Sequence, residues 1–294
     1  MSISVRFPLY SKDRKTMLRA PYTDEVVKVS EGTEIIAQGA FEDCAVRWIE
    51  LPNSIRLLDA CAIMRANSLE GITLPDSIEE IGQSAFLYSA QDLGIEELTL
   101  PKNLHRLGAG AFYGCNIKKL TVQGDFKWED DWLNDNPFYY IDGLSAIENA
   151  NPNFSVADGM MLSADGKILF RCVNDSTKII VPEGTEIIAQ GAFYDRRLME
   201  TVVLPNSLKT ICRDAFSRCS MLDDVILPEG TEMIGWEAFC LCSNLKRITL
   251  PRSMKKIESG AFKMCNNLKE VVYPKGMKTK LQKMMENGMA DMPF

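Results

Sequence analysis

A short repeat, with a period of roughly 23 residues, is the feature that most restricts how this chain can fold. It shows most clearly in the C-terminal part, where prolines recur at positions 182, 205, 228, 251 and 274. Each follows a short alternation such as Arg247–Leu250, in which Ile248 and Leu250 would face one side of a strand. A unit this short cannot bury its own apolar face, so neighbouring units must stack into a continuous core. The spacing therefore predicts a repeat solenoid of short strands with few helices.

One apolar slot, usually a Phe that follows Ala, marks each unit. It occurs nine times, at Phe41, Ile63, Phe86, Phe112, Phe138, Phe193, Phe216, Phe239 and Phe262. The spacing is constant over the last four slots and less regular over the first five, and one long gap separates the two sets. We expect the small Ala to allow a close turn of the backbone and the Phe to fill the interior of each coil.

A different module, NFSVADGMMLSADGKILFRCVNDSTKIIVP, fills the long gap between Phe138 and Phe193. Its Asp-Gly pairs, at Asp158 and Asp165, predict strands that are joined by tight turns. Part of it returns near the N-terminus, since LYSKDRKTMLR at Leu9–Arg19 aligns with MLSADGKILFR at Met161–Arg171. The stretch EGTEIIAQGAF also occurs twice, at the same offset, starting at positions 31 and 183. The chain therefore consists of two spacer-plus-repeat arrays in tandem.

These observations predict five segments. They are a strand or hairpin spacer at 1–30, a first array of five coils at 31–150, a β-hairpin spacer at 151–182, a second array of four coils at 183–274, and a tail at 275–294. In the tail, Lys278–Asn287 is typical of a short amphipathic helix that ends at Gly288. It would cap the last coil or, as the alternative, bind a partner through its methionines.

The repeat, together with the spacer NPNFSVADGMMLSADGKILFRC, resembles the BspA-type leucine-rich repeat family over about Leu9–Pro274. The resemblance implies a right-handed curved solenoid with a strand ladder and no long helix. It also implies a bacterial protein, at the cell surface or secreted, that adheres to host or matrix proteins.

Charge and hydropathy exclude several other classes of function. The net charge is −7 and no Lys/Arg block occurs, which disfavours binding of nucleic acid. No apolar run approaches the roughly 18 residues that a membrane-spanning helix requires. The N-terminal stretch lacks the apolar core of a secretory signal. We expect a cytoplasmic protein, or a surface or secreted one if a leader has been removed.

The sequence shows no arrangement typical of catalysis or of metal binding. Five cysteines share the slot three residues after the Phe slot: Cys44, Cys115, Cys219, Cys242 and Cys265. Stacked coils would place them in a ladder of small buried side chains, whereas zinc requires ligands that converge on one point. The single histidine, His105, has no apparent nucleophile beside it. We therefore expect a non-enzyme without cofactor or metal.

The strand ladder of the second array is the first candidate binding surface. The slot two residues before each proline carries Ile180, Val203, Ile226, Thr249 and Val272. Flanking slots carry Glu200, Asp223, Lys246 and Lys269. An exposed apolar stripe with a charged rim predicts a surface that binds another protein. The alternative is that β-branched residues stand there only because they favour strands.

The second candidate is GDFKWEDDWLNDNPFYY, residues 124–140. Phe126 and Phe138 fit core slots, which leaves exposed aromatic side chains at Trp128, Trp132, Tyr139 and Tyr140. Exposed aromatic residues can anchor a protein partner or, less favoured, a glycan. The alternatives are that they seal the widened junction between the arrays, and that the whole chain is a structural spacer of a larger surface protein.

Overall fold

The computed structural model of the chain describes residues 7–22, 25–127 and 135–277. Within these ranges every helix or strand assigned is a β-strand, which confirms the predicted solenoid of short strands. Two predicted features, the Trp128 and Trp132 anchors and the helix over Lys278–Asn287, lie outside the described residues. The chain divides into two compact units, Met1–Val156 and Ala157–Phe294.

The described residues of unit 1 form one long sheet and two short ones. Its strands are β1 (Leu9–Tyr10), β2 (Thr16–Arg19), β3 (Val26–Lys28), β4 (Ile35–Ile36), β5 (Trp48–Glu50), β6 (Leu57–Leu58), β7 (Gly71–Thr73), β8 (Glu80–Ile81), β9 (Ile95–Thr99), β10 (Arg106–Leu107), β11 (Ile117–Val122) and β12 (Ala146–Asn149). The six-stranded sheet has the order β1-β2-β4-β6-β8-β10, and the three-stranded sheets have the orders β3-β5-β7 and β12-β11-β9.

The described residues of unit 2 form two sheets, and the first strand, β13, straddles the division between the units. Its strands are β13 (Phe154–Ala157), β14 (Met160–Ser163), β15 (Ile168–Cys172), β16 (Lys178–Ile180), β17 (Ile187–Ile188), β18 (Thr201–Val203), β19 (Thr210–Ile211), β20 (Asp224–Ile226), β21 (Met233–Ile234), β22 (Arg247–Thr249), β23 (Lys256–Ile257) and β24 (Glu270–Val272). The sheet orders are β13-β14-β15-β17-β19-β21-β23 and β16-β18-β20-β22-β24.

Each standard coil supplies one three-residue strand to one sheet and one two-residue strand to the other, as β18 and β19 do. A turn that follows the proline separates them, and in this coil the Leu208 amide donates to the Pro205 carbonyl at 3.1 Å. Strands of neighbouring coils are parallel and pair residues that lie one repeat apart, such as Ile179 with Val202. Stacking therefore satisfies the backbone groups that a single coil would leave without partners.

The two spacers form hairpins with the same register. Leu9 pairs with Arg19 in the antiparallel pair β1–β2, and Met161 pairs with Arg171 in β14–β15. Both hairpins shift register directly after this pair, and both continue in parallel into the following array. Asp158 and Gly159 have positive φ angles of 49° and 70°, as a tight turn between β13 and β14 requires. The duplication therefore extends to the backbone geometry of the hairpins.

The Phe slot forms the centre of the core. In unit 2 the rings of Phe193, Phe216, Phe239 and Phe262 stack with centroids 4.8, 5.0 and 5.4 Å apart. The backbone around this slot forms a further ladder, in which the Phe216 amide donates to the Ala238 carbonyl at 2.7 Å. The turn does not depend on the Ala alone, because positive φ angles occur two residues after the slot in every coil: Asp43, Arg65, Tyr88, Gly114, Tyr140, Asp195, Arg218, Leu241 and Met264.

The cysteine ladder is buried and also donates hydrogen bonds. The thiols of Cys219, Cys242 and Cys265 donate to the Phe carbonyl of the preceding coil at 3.2, 3.1 and 3.0 Å. Ser89 occupies the same slot in unit 1, and its hydroxyl donates to the Ile63 carbonyl. In these four coils the slot therefore holds a small side chain that also donates a hydrogen bond, which adds to the predicted packing role.

Candidate functional site

The predicted stripe of unit 2 forms a continuous row of neighbouring side chains, which we call the apolar ladder: Ile180, Val203, Ile226, Thr249 and Val272. Ile180 is in register with Val203, Ile226 with Thr249, and Thr249 with Val272. Ile180 is 60% exposed and Ile226 is 63% exposed, whereas Thr249 is half-buried. Branched apolar residues are usually buried in protein cores, whereas this row exposes them and so presents apolar surface to the solvent.

The alternation along each three-residue strand produces this exposure. Ile179, Val202, Val225 and Ile248 occupy the middle positions and are buried. The first and third residues of the same strands point outward. The first residues form a second row beside the apolar ladder, which we call the polar row: Lys178, Thr201, Asp224, Arg247 and Glu270. Asp224 is half-buried, and the other four are exposed.

Ion pairs between neighbouring coils fix part of the charged rim. Arg247 forms an ion pair with Asp224, and this hydrogen bond raises the pKa of the Arg247 guanidinium above its usual value. Lys246 pairs with Asp223 at 3.0 Å. Within the part of the chain that the structure describes, Glu200 and Lys269 form no ion pair. The rim therefore presents an acidic group at one end and a basic group at the other.

The same row is polar in unit 1. It carries Lys28, Glu50 and Thr73 on β3, β5 and β7, and threonines on β9 and β11. The Lys28 ammonium lies 3.1 Å from the Glu50 carboxylate. These strands have the same alternation as those of unit 2, with Val27 and Ile49 buried in their middle positions. The exposed positions thus differ between the units although the backbone setting is the same.

In the aromatic segment of residues 124–140, the structure describes residues 124–127 and 135–140, and one side chain there differs from the expectation. Phe126 and Phe138 are buried, as predicted. Tyr139 was expected to be exposed, and this is wrong, because only 7% of it is accessible. Its ring packs edge-on against Tyr113 with centroids 5.2 Å apart, and Tyr140 is half-buried against the same ring.

An exposed aromatic side chain that the repeat pattern does not predict is Trp48 in unit 1. The Trp48 ring lies against Gly71 of the next strand so closely that no room remains for a Cβ at residue 71. The ring is 49% exposed, and Val26 precedes it in the same row. The Arg47 guanidinium binds both oxygens of Glu70 beside it, at 2.7 and 2.8 Å. The sequence signal for this site is Gly71, a glycine within a strand that lies one coil after Trp48.

The cysteines are not arranged for chemistry. All nine are free thiols, and burial raises the pKa of Cys172 to about 11 and that of Cys240 to about 11. Such thiols stay protonated at neutral pH and are poor nucleophiles and metal ligands. Among the described residues, no three His, Cys, Asp or Glu side chains are grouped so that they could hold a metal ion. His105 lies against the Asp125 carboxylate, and both side chains are exposed.

No helix within the described ranges has the length and apolar character that crossing a membrane requires.

A protein-family model matches most of the chain. The family described as the BspA type leucine rich repeat region matches residues 24–144 and 166–287, in six copies. The two matched ranges together cover well over half of the chain, and they contain the apolar ladder. No curated protein matches the chain.

Several solved structures share the fold. A leucine-rich repeat protein from Eubacterium ventriosum has a TM-score of 0.70 at 16% identity, with coverage of 84% of this chain and 72% of its own. A leucine rich cell surface protein from Faecalibacterium prausnitzii has a TM-score of 0.60 at 20% identity, with coverage of 92% and 77%. The pneumococcal vaccine antigen PcpA has a TM-score of 0.62 at 21% identity, with coverage of 92% and 72%. Identities this low show similarity of fold alone.

Proposed function

Because the chain belongs to the BspA-type leucine-rich repeat family, we propose that it is a non-enzymatic scaffold that binds a protein through the apolar ladder of unit 2. The single observation that carries the proposal is the row of exposed branched side chains, of which Ile180 and Ile226 are more than half exposed. Rigid repeat arrays present extended surfaces of this kind to protein partners. Apolar side chains at the centre with charges at the rim are typical of protein interfaces.

Strand propensity alone does not account for the apolar ladder. If the backbone demanded branched apolar residues at this slot, unit 1 would carry them as well. It carries Lys28, Glu50 and Thr73 instead. The slot accepts charged residues without loss of the fold, so the apolar residues of unit 2 are more readily explained by binding than by folding.

A binding experiment with a surface variant tests the proposal. The wild type and the triple variant Val203→Lys, Ile226→Lys and Val272→Lys would serve as baits for lysate and for purified extracellular matrix proteins. Circular dichroism would verify that both are folded. We expect a partner that binds the wild type and is lost by the folded variant. A single-substitution control, Thr73→Lys, places a charge at the same slot in unit 1 and should bind as the wild type does.

Retention of the partner by the triple variant would contradict the proposal and move the binding site away from the ladder. Failure of every bait to bind a partner, together with an intact fold, would favour the alternative of a structural spacer.

We further propose a location at the bacterial cell surface, with adhesion as the role of the ladder. Support comes from the fold neighbours, one of which is named a cell surface protein and another a vaccine antigen. Treatment of intact cells with protease, followed by immunoblotting, tests the location. Complete protection in intact cells, with digestion after lysis, would exclude it.

Trp48 supports glycan binding as a second candidate function. Its ring packs on Gly71, and 49% of the residue is exposed. Arg47 and Glu70, which directly precede Trp48 and Gly71 in the chain, form a two-bond ion pair. A flat aromatic face with neighbouring donors and acceptors suits the apolar face and the hydroxyl groups of a sugar ring. A glycan array with wild type and Trp48→Leu tests this candidate. A signal that is equal in both would exclude this site.

A further inference from the structure

The coils that carry the apolar ladder stack without a sharp bend. Their Phe rings have interplanar angles of 6°, 1° and 5°, and a bend between coils would tilt successive ring planes. The paired strands of this face follow one another at the regular spacing of about 4.8 Å that is typical of a sheet. Its outward side chains therefore form a regular pattern that can be compared with the pattern of a second copy.

The pattern of side chains on this face is complementary to itself. A two-fold rotation about an axis parallel to the strands through β20 places the first strand, β16, opposite the last strand, β24. Ile180 then faces Val272, and Ile226 faces its own copy. The other axis within the plane, perpendicular to the strands, would place the apolar ladder on the polar row, and the loss of apolar contact disfavours it.

The charges at the ends of the contact agree with the first axis. Lys178 on the first strand faces Glu270 on the last, so opposite charges meet at both ends. Glu200, which precedes β18, faces Lys246, which precedes β22. Each of these contacts occurs twice because of the symmetry.

Two carboxylates, Asp223 and Asp224, meet their own copies near the axis. Each already has a cationic partner in the same chain, since Lys246 pairs with Asp223 and Arg247 with Asp224. These cations lie next to the carboxylates in both copies and offset the repulsion between them. In unit 1, the row at the same slot as the apolar ladder lacks such symmetry, because Lys28 and Glu50 lie together at one end and threonines follow.

We infer that the partner of the apolar ladder is a second copy of this chain, packed face to face about a two-fold axis that runs parallel to the strands. This inference rests on the proposed function and names the partner of the same site. Five strands about 4.8 Å apart and three residues long cover roughly 20 by 10 Å. This is smaller than the contact of about 800 Å² per partner in stable complexes, so the dimer is weak and reversible.

Sedimentation equilibrium of the full chain tests the inference, over roughly 10 to 500 µM, the range in which a weak interface dissociates. We expect a monomer–dimer equilibrium for the wild type. Lys178→Glu alone and Glu270→Lys alone each place like charges at both ends of the contact. Each should weaken the dimer about tenfold or more. Lys12→Glu, an exposed position in unit 1, makes the same change in net charge as Lys178→Glu and should leave the equilibrium unchanged.

A mixture of the two variants gives the sharpest result. When one chain carries Lys178→Glu and the other carries Glu270→Lys, both ends of the mixed dimer again join opposite charges. We expect the mixture to associate about as strongly as the wild type, although neither variant does so alone. A variant that had merely lost its fold could not be restored in this way.

Two outcomes would overturn the inference. The first is a wild type that remains monomeric at the highest concentration, and the second is a dimer that neither single variant weakens. Neither outcome decides the proposed function, which depends on loss of a protein partner in the triple lysine variant. If that variant keeps its partner, the ladder itself fails as a binding surface, whatever the oligomeric state.

Discussion

The two units are built from the same coil, but unit 2 is the more regular. In unit 2 the Phe slots recur at a constant interval, and the ring planes of successive coils differ by at most 6°. In unit 1 the interval varies from coil to coil, Ile63 replaces one Phe, and the rings of Phe86 and Phe112 are tilted by 29°. Uniform coil length thus accompanies parallel Phe rings, whereas variation in length accompanies tilted rings.

The largest expected effect is a loss of stability when the regular stack of Phe rings in unit 2 is interrupted. Phe216 lies between Phe193 at 4.8 Å and Phe239 at 5.0 Å and is fully buried. Phe216→Ala should lower the free energy of unfolding by about 3–5 kcal/mol because it removes a large side chain and leaves a cavity. Ile63→Ala, at the same slot in unit 1, should cost less, about 2–4 kcal/mol. Denaturant unfolding measures both, and a loss under about 1 kcal/mol for Phe216→Ala would contradict its core role.

A second prediction concerns the donor slot three residues after the Phe slot. The Ser89 hydroxyl donates to the Ile63 carbonyl and accepts from the Ala66 amide at 3.2 Å. Ser89→Ala should cost about 1–3 kcal/mol, since two buried backbone groups lose this partner. Cys219→Ser in unit 2 keeps a donor at the slot and should cost about 1 kcal/mol or less. Equal losses in the two variants, measured by urea unfolding, would mean that the donor is irrelevant and that only volume matters.

Alkaline pH should destabilise unit 2 more than unit 1, because six of the nine cysteines lie in unit 2. Burial raises the pKa of Cys212 from 9.0 to about 12. The folded chain therefore holds this proton more tightly than the unfolded chain, so its contribution is intact below pH 9 and is lost between pH 9 and about 12. Relative to Cys212→Ala, the wild type should lose about 1.4 kcal/mol per pH unit in that window.

The free energy of unfolding, measured at pH 8 and at pH 10 for the wild type and for Cys212→Ala, tests this prediction. Cys61 in unit 1 is only half-buried, so Cys61→Ala should change the pH dependence less. An identical dependence in wild type and Cys212→Ala would show that this thiol is not shielded from water.

The smallest expected effect lies at the positive-φ slot. Met264 has a φ of 59° and is 52% exposed. Met264→Gly should stabilise the chain by about 0.5–1 kcal/mol, because relief of the left-handed backbone exceeds the entropy cost of glycine. Gly114 occupies this slot in unit 1, and Gly114→Ala should act in the opposite direction because Tyr88 covers it. A drop in melting temperature for Met264→Gly would contradict this account.

Much of the fold follows from periodicity, because each coil repeats the same backbone and the Phe, Pro and Cys slots recur in register. The register of the hairpins also follows from the alignment of Leu9–Arg19 with Met161–Arg171. The positive φ angles two residues after the Phe slot were not predicted, because these positions carry Asp, Arg, Tyr, Leu and Met. Only Gly114 is a residue type that usually indicates such an angle. A ladder of hydrogen bonds between coils holds these residues in a conformation that they rarely adopt alone.

The candidate site was predictable where it depends on alternation and not where it depends on contacts between coils. The exposure of Ile180 and Ile226 follows from their position in a strand. The burial of Tyr139 depends on Tyr113 in the preceding coil, which position in the repeat does not reveal. The open ring of Trp48 likewise depends on Gly71 in the following coil.

The paired hairpins have a consequence for the order of folding. Only a short turn separates β1 from β2, whereas successive coils join strands that lie a whole repeat apart along the chain. Closing a short loop costs less entropy than closing a long one, so each hairpin can form before any coil. Its inner strand, β2 or β15, then offers a ready edge on which the first coil can pair, and later coils can add in turn. The chain would then carry two independent nuclei, each at the head of the array whose growth it starts.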